Sequence, residues 1–497
     1  MKKILIVFVS LLVILLLILF INTWLLTPLE REQYQPQSIN VDKDRIVQHM
    51  SEAIRFRTIS ILQKTISQKS GSQKPASEDS FLEFTSWIKQ TYPNLFTKLE
   101  VQQIEGYSLF LKWQGSNESL KPILLTAHYD VVPVIAGTES LWRYPPFSGK
   151  VAEGYVWGRG ALDDKGAVIS MLEAASLLEK QGFQPERSIY FSFGHDEELG
   201  GINGAGKVVE FAKENNIQFL WSLDEGAFLF EGLIPGVEQI MGTINIAEKG
   251  SVTLKVIATA EGGHSSMPPK QTAVGILAEA IIKLESNPLA GGLDGLSSYL
   301  LDEASRYMPF SKRMLFANQW LFKKLIEDKL SDSVVMKAQM ITTTAPTMLS
   351  ASPKANVLAI EAVATVNFRI HPRDSIKSII EHVNRVIDNP NVRVEQVEGW
   401  GNPASKVSSI ESKGYQTLVQ STYEIHDSVV LTPGLMIAAS DSRHYSQISE
   451  NSYRFNPMLV TPDDIASFHG TNEKISIDNL ILATKVYNRI MVNGSKK

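Results

Sequence analysis

The segment Trp157-Gly158-Arg159-Gly160-Ala161-Leu162-Asp163-Asp164-Lys165-Gly166 places two adjacent carboxylates between a Gly-Arg-Gly turn and an apolar run. The apolar positions of that run have helical spacing: Ala167, Val168, Met171, Leu172, Ala175 and Leu178. The pattern predicts that the acids lie in a loop at the start of an amphipathic helix, with Asp163 outside the helix. A simple Asp N-cap is the plainer interpretation. A phosphate-binding loop is set aside, because the sequence lacks the Gly-x-x-x-x-Gly-Lys-Ser/Thr pattern.

Three further acidic clusters follow short apolar runs that are typical of buried strands. They are His128-Tyr129-Asp130, Asp196-Glu197-Glu198 and Asp224-Glu225. In open α/β sheets, ligands bind beyond the carboxyl ends of the strands, so we expect the four acidic loops to meet in one crevice. Imidazole and carboxylate ligands suit hard or borderline divalent metals, and the chain has no cysteine that could offer a thiolate. The sequence therefore predicts a metal site.

Several motifs together resemble those of the zinc-dependent metallopeptidase family that includes aminoacylase, glutamate carboxypeptidase, the succinyl-diaminopimelate desuccinylases and carboxypeptidase S. The motifs are Ala127–Pro133, Gly158–Gly166, Gly194–Glu198, Glu248–Gly250 and Gly263–Pro268, and the match extends from about Asp44 to the C-terminus. Phe147-Ser148-Gly149 and Asp441–Tyr445 most resemble the carboxypeptidase S branch, which also contains a secreted N-fatty-acyl-amino-acid synthase/hydrolase.

The resemblance implies two divalent metal ions, zinc in preference to cobalt or manganese. Asp163 would bridge the two ions, His128 and Asp224 would complete one of them, and Glu198 and His469 the other. Taken alone, His469 would be a structural histidine, and only the family match selects it. Each ion would keep room for water, as catalytic metal sites do.

The resemblance also assigns the proton-transfer groups. Glu197 would be the general base that takes a proton from water and passes it to the leaving amine. Asp130 would accept the second N–H of His128 and fix its orientation, although it could be an ordinary turn acid. His264 would stabilise the oxyanion, and in many family members it reaches the site from a neighbouring subunit, so a homodimer through the lid is expected.

Substrates of the family generally carry a free carboxylate beside the scissile amide. Arg369 and Arg443 are the candidates to bind it, with Asn356 as a polar helper, because a guanidinium binds a carboxylate bidentately. A surface or interdomain salt bridge is an equally good interpretation of either arginine taken singly.

The fold implied by the resemblance is α/β, with a catalytic dizinc exopeptidase-like domain into which a ferredoxin-like lid, or dimerisation domain, is inserted. We place the catalytic domain at 44–246 and 399–497 and the lid at 247–398. The order of predicted elements in the lid approximates a β-α-β-β-α-β unit: strand 251–258, helix 272–284, one or two strands in 355–370, helix 376–387 and strand 392–397. The polar stretch Lys64–Ser80 predicts a mobile loop.

The N-terminus carries a targeting signal. Lys2 and Lys3 precede an apolar run from Ile4 to Ile21, which approaches the length that spans a bilayer. A cleaved signal peptide is the alternative, but no small-x-small cleavage site follows. We therefore predict a transmembrane signal anchor at 1–26 and a linker at 27–43, with the N-terminus cytoplasmic and the catalytic part outside.

The lid contains additional aromatic residues between Gly291 and Ser333, among them Tyr307, Phe310 and Trp320. Helix packing is the plain interpretation; an apolar wall for an acyl chain, or contact with the membrane, is the sharper one.

Length and charge set the remaining limits on function. At 497 residues the chain is too long for one ordinary domain, and its mixed charge of -5 does not indicate nucleic acid as a partner. The leading hypothesis is a membrane-anchored hydrolase of peptides or N-acyl amino acids, and an aminoacylase for long acyl chains is the alternative. A non-catalytic binding protein on the same scaffold is disfavoured, because the ligands and the base are all retained.

Overall fold

The computed structural model describes residues 2–61 and 78–497, so the predicted loop Lys64–Ser80 lies largely outside the described residues. The helices are α1 Lys2–Leu25, α2 Lys43–Arg55, α3 Glu78–Thr91, α4 Pro93–Phe96, α5 Lys165–Lys180, α6 Ala205–Glu214, α7 Ala273–Ser286, α8 Tyr299–Ser305, α9 Phe310–Ala317, α10 Gln319–Leu330, α11 Val334–Met340, α12 Ile376–Ile387, α13 Lys413–Tyr423, α14 Ser442–Tyr445, α15 Pro462–Ser467 and α16 Ile477–Gly494. The strands are β1 Leu99–Ile104, β2 Ser108–Trp113, β3 Ile123–His128, β4 Lys150–Ala152, β5 Tyr155–Trp157, β6 Ile189–Gly194, β7 Trp221–Asp224, β8 Leu229–Phe230, β9 Met241–Glu248, β10 Gly250–Thr259, β11 Gly263–His264, β12 Thr343–Ser350, β13 Val357–Leu358, β14 Glu361–Ile370, β15 Val392–Asn402, β16 Val430–Met436, β17 Ser452–Arg454, β18 Leu459–Val460 and β19 Lys474–Ser476.

The apolar runs before the acidic clusters form neighbouring strands of a mixed ten-stranded sheet. The order is β1-β2-β6-β3-β7-β17-β9-β8-β18, with β16 beside β9, and β6, β3, β7 and β17 run parallel. All residues of β3, β6 and β7 are buried, as strands covered on both faces are. Alternate residues face opposite layers: Leu125 packs towards α2, α5 and α16, whereas Leu124 packs towards α6 and α14. The carboxyl ends of the parallel strands therefore meet at one edge.

A smaller antiparallel sheet has its own core. Its order is β12-β14-β10-β15, and α7 and α12 pack on it around residues such as Val256, Phe368 and Ile379. In the chain these elements follow one another as β-α-β-β-α-β. One expectation needs correction: 355–370 contributes only β14 to this sheet, while β13 pairs with β11 and the second strand is β12. Because β12 is an edge strand with mostly exposed residues, its sequence lacks the buried pattern that predicts a strand.

The segment between α7 and β12 consists of the helices α8 to α11. Several of its aromatic and apolar residues pack as predicted, with Met308, Tyr307 and Phe316 lying against Phe230 and Met241 of the large sheet. Trp320, by contrast, is 63% exposed.

The N-terminal run forms one helix that is long and apolar enough to cross a membrane. It spans 24 residues, and its only buried residues are Leu19 and Thr23. The segment between α1 and α2 contains no helix or strand, but it lies against the end of α13. There the Tyr34 ring stacks on Tyr423 at 6.1 Å, and the Gln37 amide donates to the Glu424 carbonyl at 2.7 Å.

Candidate metal centre

The carboxyl ends of adjacent strands bring the predicted ligands together. Two groups of three side chains place their ligand atoms within 4.8 Å of one another: His128, Asp163 and Glu225 in one, and Asp163, Glu198 and His469 in the other. Asp163 belongs to both groups. The arrangement is two adjacent sites that share one carboxylate, each with one imidazole and one further carboxylate.

Asp163 lies between the two imidazoles. His128 Nε2 is 2.9 Å from one of its oxygens, and His469 Nε2 is 3.1 Å from the other. His469 also lies 3.5 Å from Glu198 Oε2. The N-cap interpretation of the acidic pair is wrong: Asp164 occupies the cap position without a side-chain cap bond and accepts instead from Asn456 Nδ2 at 3.0 Å. Asp163 is thus free of helix capping and faces the ligands.

Glu225, which was not predicted as a ligand, lies beside His128 and Asp163, and the predicted ligand Asp224 is its neighbour in the chain. Asp224 is the last residue of β7 and is buried, and its Oδ1 accepts from the Thr126 hydroxyl at 2.7 Å. Successive residues of a strand point in opposite directions, so Asp224 at the end of β7 and Glu225 just after it direct their carboxylates differently. The motif showed both acids, and its spacing could not distinguish them.

Asp130 links one ligand to the loop of the predicted base. Its Oδ1 lies 3.3 Å from His128 Nδ1, on the side of the ring away from Asp163. The same carboxylate accepts from the backbone amides of Glu197 and Glu198, both at 3.2 Å. A fully buried Asp130 thereby fixes the position of an imidazole and of two catalytic-loop residues at once.

Glu473 organises the loop that carries Asp163, and no motif in the sequence indicated this role. Its Oε2 lies 2.5 Å from Arg159 Nη1, and its two oxygens accept from the amides of Gly160 at 3.0 Å and Leu162 at 2.9 Å. Arg159 in turn donates to the Gly470 carbonyl at 2.8 Å. Both partners are buried, so one ion pair fastens the Asp163 loop to the turn next to His469.

The crowded acids and imidazoles shift the pKa values of the site. Burial raises the pKa of Glu197 and of Glu225 well above the usual range, and the charge of Asp163 raises both further. Burial also acts to raise the pKa of Asp163, but hydrogen bonds from His128 and His469 outweigh it and lower that pKa. Hydrogen bonds to neighbouring carboxylates raise the pKa of His469 to about 10. The excess of carboxylates over imidazoles favours the binding of cations.

The predicted substrate-binding residues separate into two places. Arg369 and Arg443 both line a cavity of about 550 Å³ between the two sheets, together with Glu248 and Lys249. Arg443 Nη2 donates to the Gly200 carbonyl at 2.6 Å, just beyond the turn of the predicted base.

His264 lies in β11, and Asn356 directly precedes β13, the strand that pairs with β11. The Asn356 carbonyl accepts from the Ser265 amide at 3.2 Å, and exposed His264 bonds Ser266 Oγ at 2.8 Å. Neither residue belongs to the two ligand groups found within the described part of the chain.

The donor set fits two divalent cations. Each group offers one imidazole nitrogen and two carboxylate oxygens, a set that zinc, manganese and cobalt accept. Three protein ligands per ion leave a coordination position for substrate or water, as catalytic sites require.

A protein-family model described as peptidase family M20/M25/M40 matches residues 124–493. The probable carboxypeptidase S-like 2 of Dictyostelium discoideum is 40% identical over 453 residues, which cover 91% of this chain and 85% of that protein. The N-fatty-acyl-amino acid synthase/hydrolase PM20D1 of Xenopus tropicalis is 34% identical over 491 residues, covering 97% and 93%. The chain therefore belongs to peptidase family M20/M25/M40, and it is a metal-dependent hydrolase of amide bonds.

Solved structures share this fold at low sequence identity. The M20 family metallo-carboxypeptidase Sso-CP2 from Sulfolobus solfataricus has a TM-score of 0.61 at 17% identity, over 90% of this chain and 99% of that one. Human carnosine dipeptidase 1 has a TM-score of 0.57 at 15% identity, over 91% and 96%.

The choice between Glu225 and Asp224 is testable by metal titration. We expect Glu225→Gln to lower the affinity for one of the two ions by more than about 100-fold. Loss of a residue that only hydrogen-bonds to a metal ligand already costs about 10–100-fold in metal affinity. For Asp224→Asn, whose Oδ1 accepts from Thr126, we expect a loss of affinity within that smaller range. Metal content after dialysis, read by mass spectrometry, checks both variants. If Asp224→Asn lost more metal than Glu225→Gln, Asp224 would be the ligand.

The role of Glu473 gives a second prediction. Glu473→Gln leaves the buried Arg159 without a charged partner, so we expect the free energy of unfolding to fall by about 3–5 kcal/mol. Metal affinity falls with it, because the Asp163 loop and the turn beside His469 are no longer held together. Urea unfolding and metal titration measure the two effects. Glu210→Gln, in an exposed pair with Lys207, serves as the control with no loss of metal. Unchanged stability and affinity in Glu473→Gln would contradict this role.

Proposed function

We propose that the chain cleaves the amide bond of a peptide or an N-acyl amino acid next to a free carboxylate, as a carboxypeptidase or dipeptidase does. The observation that carries the proposal is the pair of ligand groups sharing Asp163 beside Glu197, at the carboxyl edge of the parallel strands. Relatives named as carboxypeptidase S-like proteins support the same reaction class.

Two bound divalent cations, which we assign as zinc, would polarise the scissile carbonyl and make water more acidic. His128, Asp163 and Glu225 would hold one cation, and Asp163, Glu198 and His469 the other. Glu197 would accept the proton of the attacking water and deliver it to the leaving nitrogen.

Glu197 is well placed for proton transfer. Its backbone amide is held by Asp130 at 3.2 Å, so the side chain projects from a fixed turn. Burial is the main cause of the raised pKa of Glu197. With a raised pKa, the side chain can keep the proton that it takes from water until it delivers that proton to the leaving nitrogen.

The substrate carboxylate would bind in the cavity lined by Arg369 and Arg443. A guanidinium holds a carboxylate bidentately, and the bond of Arg443 to the Gly200 carbonyl connects this cavity with the turn of Glu197. An arginine placed there would orient the scissile bond relative to the base.

The alternative substrate class is N-fatty-acyl amino acids, hydrolysed or formed in reverse. Relatives named N-fatty-acyl-amino acid synthase/hydrolase favour it, as does the apolar insert of helices α8 to α11. The packing of that insert against Phe230, shortly after Glu225 in the chain, would place apolar surface near the metal centre.

The smaller unit would serve as lid and dimerisation domain. Its β-α-β-β-α-β order agrees with a ferredoxin-like unit, and we assign it residues 247–398, with 44–246 and 399–497 forming the catalytic domain. The edge strand β12 exposes Met348 and Leu349, which suits pairing with a second copy. A partner's lid could then bring His264, exposed in this chain, to the oxyanion and Asn356 to the substrate.

The N-terminal helix would act as an uncleaved signal anchor at residues 1–26, followed by a linker at 27–43. The two lysines at its start would stay on the cytoplasmic side, so the catalytic domain would lie across the membrane from them.

The reaction is tested by measuring the release of free amino acid from dipeptides and from short-chain and long-chain N-acyl amino acids. We expect Glu197→Gln to lower kcat by about 10²–10⁴-fold, because it removes general acid–base catalysis. Metal content stays at two ions, and Glu210→Gln serves as the active control. Preference for dipeptides supports the carboxypeptidase or dipeptidase hypothesis, and preference for long acyl chains supports hydrolysis of N-fatty-acyl amino acids. Full activity of Glu197→Gln would contradict the proposed base.

A mixing experiment tests whether His264 acts across a dimer. We expect His264→Ala and Glu197→Gln each to be nearly inactive alone. Dimers formed from equal amounts of both should recover roughly a quarter of the wild-type rate, because half are mixed and each mixed dimer has one intact site. No recovery, although light scattering shows mixed dimers, would place His264 in its own subunit's site or outside the mechanism.

A further inference from the structure

The outer end of the N-terminal helix is bound to the insert by polar and aromatic contacts. Asn22 Nδ2 donates to Asn318 Oδ1 at 2.9 Å, and Asn318 Nδ2 donates to the Leu19 carbonyl at 3.2 Å. The rings of Phe20 and Phe310 lie 5.5 Å apart. Asn318 is fully buried at the junction of α9 and α10, so these two helices hold a fixed position relative to α1.

The length of α1 indicates how deep in a membrane the contact between α1 and Asn318 would lie. The apolar run from Ile4 to Ile21 is long enough, at 1.5 Å per residue, to cross roughly 27 Å of a hydrocarbon core about 30 Å thick. The boundary of the core then falls close to Trp24, a residue type that concentrates at membrane interfaces. Asn318 contacts Leu19 and Asn22 near this boundary, which puts α9 and α10 at the level of the lipid headgroups.

Helix α10 presents an apolar face that no described residue covers. Trp320 is 63% exposed, Leu321 46% and Leu325 49%, and Lys324 lies on the same face. At helical spacing these residues form one stripe, with a lysine whose stem can lie along it. Soluble proteins seldom expose such a group of large apolar side chains unless the group contacts a partner or a membrane.

The charge of the helix pair also suits a membrane. Residues 310–330 contain five basic and two acidic residues, whereas the chain as a whole has a net charge of -5. A helix with an apolar face and lysines beside it is the type that lies in the interface plane and is attracted to anionic lipid.

We infer that α9 and α10 lie in the membrane interface next to the anchor, with Trp320, Leu321 and Leu325 inserted among the lipids. The inference rests on the proposed anchoring of α1 and adds a second membrane contact to it. The catalytic domain is then held with one face on the bilayer, because the same insert packs on β8 and β9 of the large sheet. An N-acyl substrate dissolved in the membrane would meet the protein on this face.

The absence of cysteine from the sequence makes a single-site probe straightforward. The full chain would be reconstituted in nanodiscs that contain anionic lipid, with an environment-sensitive dye on Leu325→Cys. Ile14→Cys, in the middle of α1, reports on anchor insertion. Gln102→Cys, exposed on β1 at the opposite end of the large sheet, is the matched control. Brominated acyl chains quench only dyes that contact lipid.

We expect the Leu325 probe to emit at shorter wavelength and to lose most of its emission with brominated lipid, as the Ile14 probe does, while the Gln102 probe changes in neither respect. A quenched Ile14 with an unquenched, water-exposed Leu325 overturns the inference and leaves the anchor intact. A Leu325 probe that is shielded but unquenched overturns it in favour of contact with a second copy of the chain. An unquenched Ile14 overturns the anchor and this inference together, without bearing on the hydrolase activity.

Discussion

The buried ion pair between Arg159 and Glu473 holds the metal centre in one geometry. Burying two charges is costly unless their remaining polar atoms are satisfied, and here Glu473 accepts from backbone amides on both sides of the turn while Arg159 bonds the Gly470 carbonyl. The pair joins two segments more than 300 positions apart in the chain, one carrying the shared carboxylate and the other an imidazole. Each loop has further contacts of its own, such as the bond from Asn456 to Asp164, but this ion pair joins the two loops directly.

The rest of the site repeats the same principle with a different carboxylate. Asp130 holds His128 and the Glu197 turn in place, as Glu473 holds the Asp163 turn. In both cases one buried acid accepts several N–H groups and thereby sets the direction of its neighbours. Carboxylates without any part in binding metal thus fix those that bind it. The arrangement concentrates negative charge, which a pair of cations would neutralise.

The sequence predicted those parts of the structure that depend on local pattern. Short apolar runs typical of buried strands ended in acids, and parallel strands gather their carboxyl ends, so the meeting of His128, Asp163 and Glu198 could be expected. The direction of a side chain at a strand end depends on the pleat, which composition does not reveal, and this is why Asp224 and Glu225 could not be told apart. The role of Glu473 could not be predicted because its partners are remote in sequence. Strand β12 could not be predicted because an exposed edge strand carries no alternation of apolar and polar residues.

The chain order of the ligands has a consequence for biosynthesis. His469 and the supporting Glu473 follow the entire smaller sheet, whereas the other four candidate ligands precede it. Domains generally fold from the N-terminal side as a chain emerges, so a growing polypeptide displays four of the five candidate ligand loops long before the fifth exists. The candidate metal centre therefore stays incomplete until the C-terminal segment that carries His469 has docked.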